Sequence, residues 1–439
     1  MSEVAKERSE LEQSLVAKLS HLPLSQETAW LSKLRAEAAK HVIEHGLPAS
    51  KNEAWRFVPM NDLLASSFDS LSDAPVQPSA HRNSSQAPVL CQNGSYSLKK
   101  QKHLSGLSIT TLHAANTKDK EAMAFFLARI AKQRDAWFEL NTALFSDLLW
   151  INVEKGAQIK TPIDVEYIIS RSSGNALVHP RVLITLGESS ECTVVEHFLP
   201  AQDSAGLHLS NSVVETVIGA NANLHHFRIF SGSEQDYHLY QYHARIESDG
   251  HLDSHSYSMQ GAFRREDLSI TLNAQGSECS LEGCYITDND EFSGHYTTVE
   301  HTCPRALSAQ RYRGVLAAQS QAVFDGGIKV ARDAQKSSAT QENHNLLLSD
   351  SAVIHTKPQL QIDADDVKCS HGATVGQLDP VQMFYLRTRG IDEQHAKALL
   401  TYGFVRELLQ AAQNLPVFKA LQTTLLSRLG AEQVLEELC

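Results

Sequence analysis

The sequence predicts a mostly β protein, a stacked-β solenoid held between two helical regions. Three observations predict it. First, short alternating strands recur from about residue 148 to 375, and each closes on a turn glycine. Gly156, Gly187, Gly219, Gly250 and Gly276 stand 31, 32, 31 and 26 residues apart, and self-similarity at such a period marks a solenoid, propeller or array. Second, no long amphipathic helix interrupts the repeat, which disfavours a parallel βα fold; the absence of a Trp-Asp blade signature puts a propeller second. Third, both flanks carry leucines at three- and four-residue spacing, the period of a helix. Stacked coils bury their inward residues against one another and need caps at both ends, and helical flanks can supply them.

The elements follow in order. The N-terminal region, 1–147, reads as mainly helical. Leu11, Leu15, Leu19 and Leu22 form one apolar stripe. Ser25 is placed to cap a second helix with Glu27 in its first turn. Gly46 followed by Pro48 stops that helix. The Ser- and Pro-rich run at about 70–90 reads as an exposed loop. A single further helix is predicted at about 118–146, through Phe125, Phe126, Leu127, Ile130 and Trp137. In the repeat region, 148–375, each turn is followed by a second strand such as 222–230. The C-terminal region, 376–439, is helical again. Asp379 and Pro380 read as N-cap and first helical residue, and the helix ends at Leu386. Asp392 caps the next, which carries Ala396, Leu399, Leu400 and Phe404. Leu421, Leu425, Leu426 and Leu429 mark a last amphipathic segment. A helical unit of about sixty residues makes a thin core alone and tends to dock on a partner.

Composition narrows the function. Of 439 residues 42% are hydrophobic, enough for a large core and too many for a disordered chain. A formal net charge of −12 argues against nucleic acid, which needs a basic face. No stretch approaches the ~20 apolar residues of a membrane span, and the charged start, Met-Ser-Glu-Val-Ala-Lys-Glu-Arg, lacks an apolar signal core. The seven cysteines are scattered, odd in number and free of any Cys-x-x-Cys pair. That disfavours a secreted disulfide framework and points to a reducing cytoplasm. No Gly-x-x-x-x-Gly-Lys-Ser/Thr run is present, so the chain is not expected to hydrolyse ATP.

Candidate chemistry concentrates at one junction. Cys369 and His371 stand two residues apart, which in a strand means one face, and a soft sulfur beside a borderline nitrogen suits iron or an iron–sulfur species. Two ligands cannot close a tetrahedral site, so a second chain would have to complete it. The bland reading is a core thiol and a structural histidine. Elsewhere the bland reading leads. Cys279 and Cys284, five apart, fall on opposite faces as core or surface thiols. Cys303 is read the same way, and Cys439 is an incidental terminal thiol. His225, His226, His238, His243, His251 and His255 are read as a solvated β surface. Trp55 and Phe57 are read as anchors of the N-terminal region. Arg387 and Arg389 are expected to satisfy helix-end carbonyls or pair with acids. Asp288, Asp290 and Glu291 cluster, as a β-helix hydrolase or lyase would require, but Asn289 between them makes a turn the better reading.

The blocks Ala334-Gln335-Lys336, 341–349 (Gln-Glu-Asn-His-Asn-Leu-Leu-Leu-Ser), Lys357-Pro358-Gln359-Leu360, 365–376 (Asp-Asp-Val-Lys-Cys-Ser-His-Gly-Ala-Thr-Val-Gly) and Phe384-Tyr385-Leu386 with Arg389-Gly390 resemble the SufB/SufD family, on its SufD side. Glu53-Ala-Trp55-Arg56-Phe57 resembles the family's N-terminal motif, and Tyr312-Arg313-Gly314 and 324–330 resemble its core strands. The resemblance spans about 50–410. It implies a right-handed parallel β-helix between helical domains, in a complex with SufB and the ABC-type ATPase SufC. It implies a non-catalytic role in iron–sulfur cluster assembly and no cofactor held tightly by this chain alone. A transient cluster or iron would sit at the SufB interface, with His371 contributed there and Cys369 beside it. It implies SufC docking through the C-terminal helices, where Phe384, Tyr385, Arg387, Arg389, Gly390 and Phe404 are the candidates. A homodimer in isolation and, more remotely, a carbohydrate-active β-helix enzyme are the alternatives.

Overall fold

The computed structural model describes residues 9–22, 27–48, 52–70, 89–99, 104–170, 174–200 and 206–430. Ser25, the Ser/Pro-rich run through residue 88, and Cys439 lie outside them.

The predicted solenoid is present, with about eight turns. Each turn contributes one strand to each of two parallel sheets. One sheet ends in His208–Ile218, Asp236–Ile246, Phe263–Leu272, Phe292–His301, Gln321–Val330 and Val353–Ile362. The other ends in Asn223–Ser231, His251–Gln260, Glu278–Thr287, Leu307–Leu316, Ser338–Leu347 and Lys368–Gly376. Call these the first and second sheet. At Gly187 and Gly219 the coils leave no room for a side chain. A Cβ on Gly187 would stand 2.5 Å from the Lys155 backbone nitrogen, and one on Gly219 would stand 2.7 Å from the Leu186 carbonyl oxygen. At Gly156, where nothing lies within 4 Å of a Cβ, and at Gly276 the reason for glycine is a positive φ.

The two ends differ. At the start, short antiparallel strands finish the sheets: Leu107–Thr111 on Leu149–Val153, and Ser95–Leu98 on Val89–Gln92. Both edges of the expected loop are strand, at Asp69–Ser70 and Val89–Gln92, and the helical N-terminal region gives four strands to the sheets of the solenoid. Short edge strands resist further pairing. At the far end Val353–Ile362 and Lys368–Gly376 are both full length, and each is the last strand of its sheet.

Helices cover the outer faces. On the first sheet lie α1 (Glu10–Leu19), α2 (Ala29–His45), α3 (Asn61–Leu64), α4 (Thr117–Phe126) and α5 (Ala136–Leu144). Leu11, Leu15, Trp55 and Trp137 pack there with Leu209, Leu239, Phe263 and Phe292. The residue before α2 is Thr28, not Ser25; Glu27 instead pairs with the buried Arg35 at 3.1 Å. The single helix expected over 118–146 is two. Between α4 and α5 the chain turns to give the Ala128 and Ile130 amides to the buried carboxylate of Glu215, at 2.8 and 3.3 Å, with Ala128 at φ +56°. Glu215 also pairs with the buried Arg181. A long-range partner overrides the helical pattern.

On the second sheet lie α7 (Glu393–Leu409) and α8 (Phe418–Arg428). Val405, Leu408, Leu421 and Leu425 pack with Phe227, Tyr257, Cys284 and Val315. Tyr257 donates to the Leu408 carbonyl at 2.9 Å. Arg311 and Arg313 both pair with Glu407, and Arg428 makes two bonds to Glu291, 2.8 and 2.6 Å. α6 (Pro380–Thr388) buries no residue. Its cap is the predicted one, Asp379 accepting from the Val381 amide, and Asp392 caps α7 likewise. α6 runs to Thr388, two residues past the expected end.

Candidate functional site at the open end

The site is built by alternation. Along the second sheet the inward residues are the alternate ones, Ala339, Gln341, Asn343 and Asn345, all buried. The register pairs Ala339 with Cys369 and Gln341 with His371. Cys369 and His371 therefore share the inward face, as their spacing predicts. Among the described residues no coil follows them, so an inward side chain here meets no next layer. Cys369 is half-buried against Ala339, Ala364, Leu360 and Val367. Burial pushes its thiol up, opposed by the Ala339 backbone. It rests as a thiol, and a metal would have to displace the proton. His371 is exposed. Among the described residues no group of three or more His, Cys, Asp or Glu can hold a metal ion, so this pair is at most half a ligand set.

The two bare edges are chemically unlike. Val353–Ile362 carries Lys357 and Pro358 at its centre, two residues that blunt an edge against added strands. Lys368–Gly376 carries no charge after Lys368 and no proline.

The N-terminal motif reaches this end. Glu53 pairs with Lys357 at 2.5 Å, and Phe57 stacks on His355 with centroids 4.0 Å apart. Trp55 is buried, lying 3.9 Å from the Arg265 guanidinium, whose other side meets Tyr296 at 3.6 Å. Arg56 lies 5.3 Å over the Phe57 ring. The motif clips the last strand of the first sheet from outside. Spacing gave no sign of this, because some 300 residues separate the partners. Beside the clip opens a cleft of about 600 Å³ lined by Asp135, Asp267, Asp325, Lys329 and Lys357. Asp267 is neutralised by Arg265, and Asp325 lies 3.9 Å from Lys357. Asp135 caps α5, accepting from the Phe138 amide at 2.9 Å and from Gln241 Nε2 at 2.7 Å. The cluster Asp288, Asp290 and Glu291 is a turn with Asn289 at φ +52°, and Glu291 serves to hold α8.

α6 presents Val381, Phe384 and Tyr385, 73%, 70% and 57% exposed. Arg387 pairs with Glu393 at 3.5 Å, and Arg389 lies over the Tyr385 ring at 5.2 Å. Gly390 closes the turn at φ +88°. Phe404 stands apart from these: it packs toward the solenoid, with Arg313 bonded to its carbonyl at 2.6 Å.

The histidine-rich segment is not a solvated surface. His226, His238, His243 and His255 are buried, and only His225 and His251 are partly open. Alternation turns His226 and His238 into a polar interior, where Glu196 accepts from His226, Tyr167 and Tyr240. His243 lies under Phe138 of α5. His255 stacks on Phe227 between Asp253 and Glu282. Cys279 and Cys284 do face opposite ways, yet both are buried, one inside the solenoid and one under α7 and α8. Burial pushes both thiols up to about 12. The six described cysteines are all free, and the Cys303 thiol bonds the Asn273 carbonyl at 3.1 Å.

Comparison with known proteins adds the following. Residues 167–404 match the family described as "SUF system FeS cluster assembly, SufBD core domain", and residues 14–165 match "SufBD protein N-terminal region". The chain is 30% identical to the iron–sulfur cluster assembly protein SufD of Escherichia coli, over 91% of this chain and 93% of that one. It is 26% identical to an iron–sulfur cluster assembly SufBD family protein of Synechocystis, over 83% of each. It is 23% identical to SufD of Bacillus subtilis, over 87% of this chain and 90% of that one.

Proposed function

This chain belongs to the SufBD family of iron–sulfur cluster assembly proteins, and from that premise we propose that it is a non-catalytic subunit of the assembly scaffold. In this reading the strand Lys368–Gly376 pairs with a matching edge of SufB. A nascent cluster, the cargo of the complex, gathers at the seam with His371 as a ligand and Cys369 beside it. α6 docks the SufC ATPase.

The observation that carries the reading is the asymmetry of the solenoid. One end is finished with short antiparallel strands; the other leaves a long edge strand, without charge after Lys368, bearing the Cys-Ser-His-Gly motif. An edge of that kind is a template for another chain, and half a ligand set needs a second half. The exposed apolar strip of α6 supports docking there and narrows the C-terminal candidates to α6, because α7 and α8 are already spent on the solenoid. A pull on α6 would pass through α7 and Glu407 to Arg311 and Arg313 on strand Leu307–Leu316, two coils from the motif. That is a mechanical route from an ATPase to the seam.

The test is co-purification with SufB and SufC. Ala373→Lys puts a charge on the inward face of the bare edge and should abolish pairing with SufB while the chain still folds. His371→Ala should leave the complex assembled but low in iron and sulfide. A complex that forms normally with Ala373→Lys, or loads normally with His371→Ala, refutes the reading. If wild-type chain forms a homodimer that refuses exchange with SufB, the bare edge serves a second copy instead.

A further inference from the structure

The interior beneath His371 holds an acceptor with no donor. Gln341 is 1% exposed, and its Oε1 has no hydrogen-bond partner. Its amide is oriented by the coil below. Thr297 Oγ1 donates to Gln310 Oε1 at 2.7 Å, and Gln341 Nε2 donates to the same oxygen at 3.2 Å. With the nitrogen so engaged, the oxygen is the free end. The facing strand leaves space for the amide by having no side chain: a Cβ on Gly326 would stand 2.2 Å from Gln341 Nε2. His371 is the in-register neighbour of Gln341 on the same inward face, about 4.8 Å away along the sheet. Among the described residues none pairs with the His371 ring. A buried unpaired acceptor thus lies beside an exposed, unpaired ring that carries one N–H when neutral.

We propose that Gln341 is a positioning residue for His371: its Oε1 accepts the imidazole N–H and so selects the tautomer that presents the other nitrogen's lone pair at the open end. Histidines that bind metals are ordinarily held in this way, through a hydrogen bond from the nitrogen that does not ligate. Gln341 is tied through Gln310 to Thr297 on the first sheet, so the ring's orientation is set by the body of the solenoid. The significance for cluster handling rests on the reading of His371 given above; the hydrogen bond itself does not.

The experiment uses the full chain alone, without iron, sulfide or partners, labelled with ¹⁵N-histidine. Ring-nitrogen shifts are read about two pH units above the ~6.5 of an ordinary imidazole, and His371→Asn identifies the His371 signals by their loss. Wild type is expected to show one His371 tautomer. Gln341→Met should give a mixture, and Gln341→Glu, which keeps an acceptor, should restore the single tautomer. Thr356, on the last strand of the first sheet, also has a buried Oγ1 without a partner; it is the rival acceptor, and Thr356→Val should change nothing. A wild-type mixture overturns the inference; so does an unchanged Gln341→Met spectrum or a mixture in Thr356→Val. Should Gln341→Met fail to fold, the wild-type spectrum still decides. The outcome is separable from the scaffold reading: normal cluster loading by His371→Ala would sink that reading and leave the tautomer result standing.

Discussion

Acid should unfold this protein early, and the buried histidines set how steeply. Burial, the largest cause at each, pushes His179 and His243 down to about 3 and His238, His295 and His301 down to about 4. In the unfolded chain each returns to ~6.5. Between about pH 4 and 6.5 the unfolded state therefore binds a proton at each position that the native state refuses. A folded-state pKa held below its unfolded value gives stability that is present at neutral pH and lost as pH falls. Each histidine contributes about 1.4 kcal/mol per pH unit, so the five together contribute about 7. Asp164 opposes them. Burial and Glu166 raise it to about 6, so between its unfolded ~3.9 and 6 the native state holds the extra proton. His255 is raised by Asp253 and Glu282, but its contribution is fully present below ~6.5 and fades only at higher pH, outside this window. For the five lowered histidines and Asp164 together the balance is about four protons, or about 5 kcal/mol per pH unit near pH 5. Against a typical total of about 5–15 kcal/mol, one to two pH units below 6.5 remove about 5–10 kcal/mol. Urea unfolding at pH 7.5, 6.5 and 5.5, with proton uptake measured on unfolding, tests this. His295→Gln should lower the slope by about one proton. Flat stability from pH 7 to 5 would refute the argument.

Three further outcomes are expected. Replacing Phe384 by Ser on α6 removes an exposed ring whose burial on a partner is worth about 2 kcal/mol, about 30-fold in Kd; titration calorimetry with SufC should show that loss at unchanged Tm. Phe57→Ala with Glu53→Gln should unclip the last strand of the first sheet, read as faster hydrogen exchange confined to 353–362. Gly314→Ala places a methyl 2.1 Å from the Tyr285 ring and 2.6 Å from Asn345 Oδ1, an overpacking worth about 1–3 kcal/mol that should lower Tm without changing the bare edge.

Much of the fold was legible because its signals are local. Turn glycines recur because successive coils approach within backbone contact at Gly187 and Gly219 and φ is positive at Gly156 and Gly276, and Asp379–Pro380 and Asp392 cap helices by bonds two and three residues away. The failures are long-range. The apolar run through Phe125 and Trp137 has helical periodicity, but Glu215, some eighty residues on, takes the amides of Ala128 and Ile130. The histidines read as surface because polar residues usually are. This solenoid has a polar interior, and its outer faces are roofed by α5 and α7. Of the site, Cys369 and His371 were legible through strand parity. Gln341 was not, since its pairing with His371 depends on a register that spacing alone does not fix.

The same physics that makes the site incomplete makes it specific. A histidine in the middle of the stack, such as His226 or His295, is enclosed by coils on both sides, satisfied by neighbours and held neutral. His371 occupies the equivalent inward position in the one coil that has no successor. Adding a coil within this chain would bury it and end its availability, and removing the coil would take it away. In the scaffold reading proposed above, the last coil is a solenoid layer whose missing neighbour comes from another molecule. Its inward residues are the ones that neighbour would cover. Pro358 and Lys357 discourage the first sheet from extending, so growth is directed to the second sheet, where Cys369 and His371 stand. In the proposed reading, a partner strand added there would bring its own inward residues against theirs and join two half-sites on separate chains.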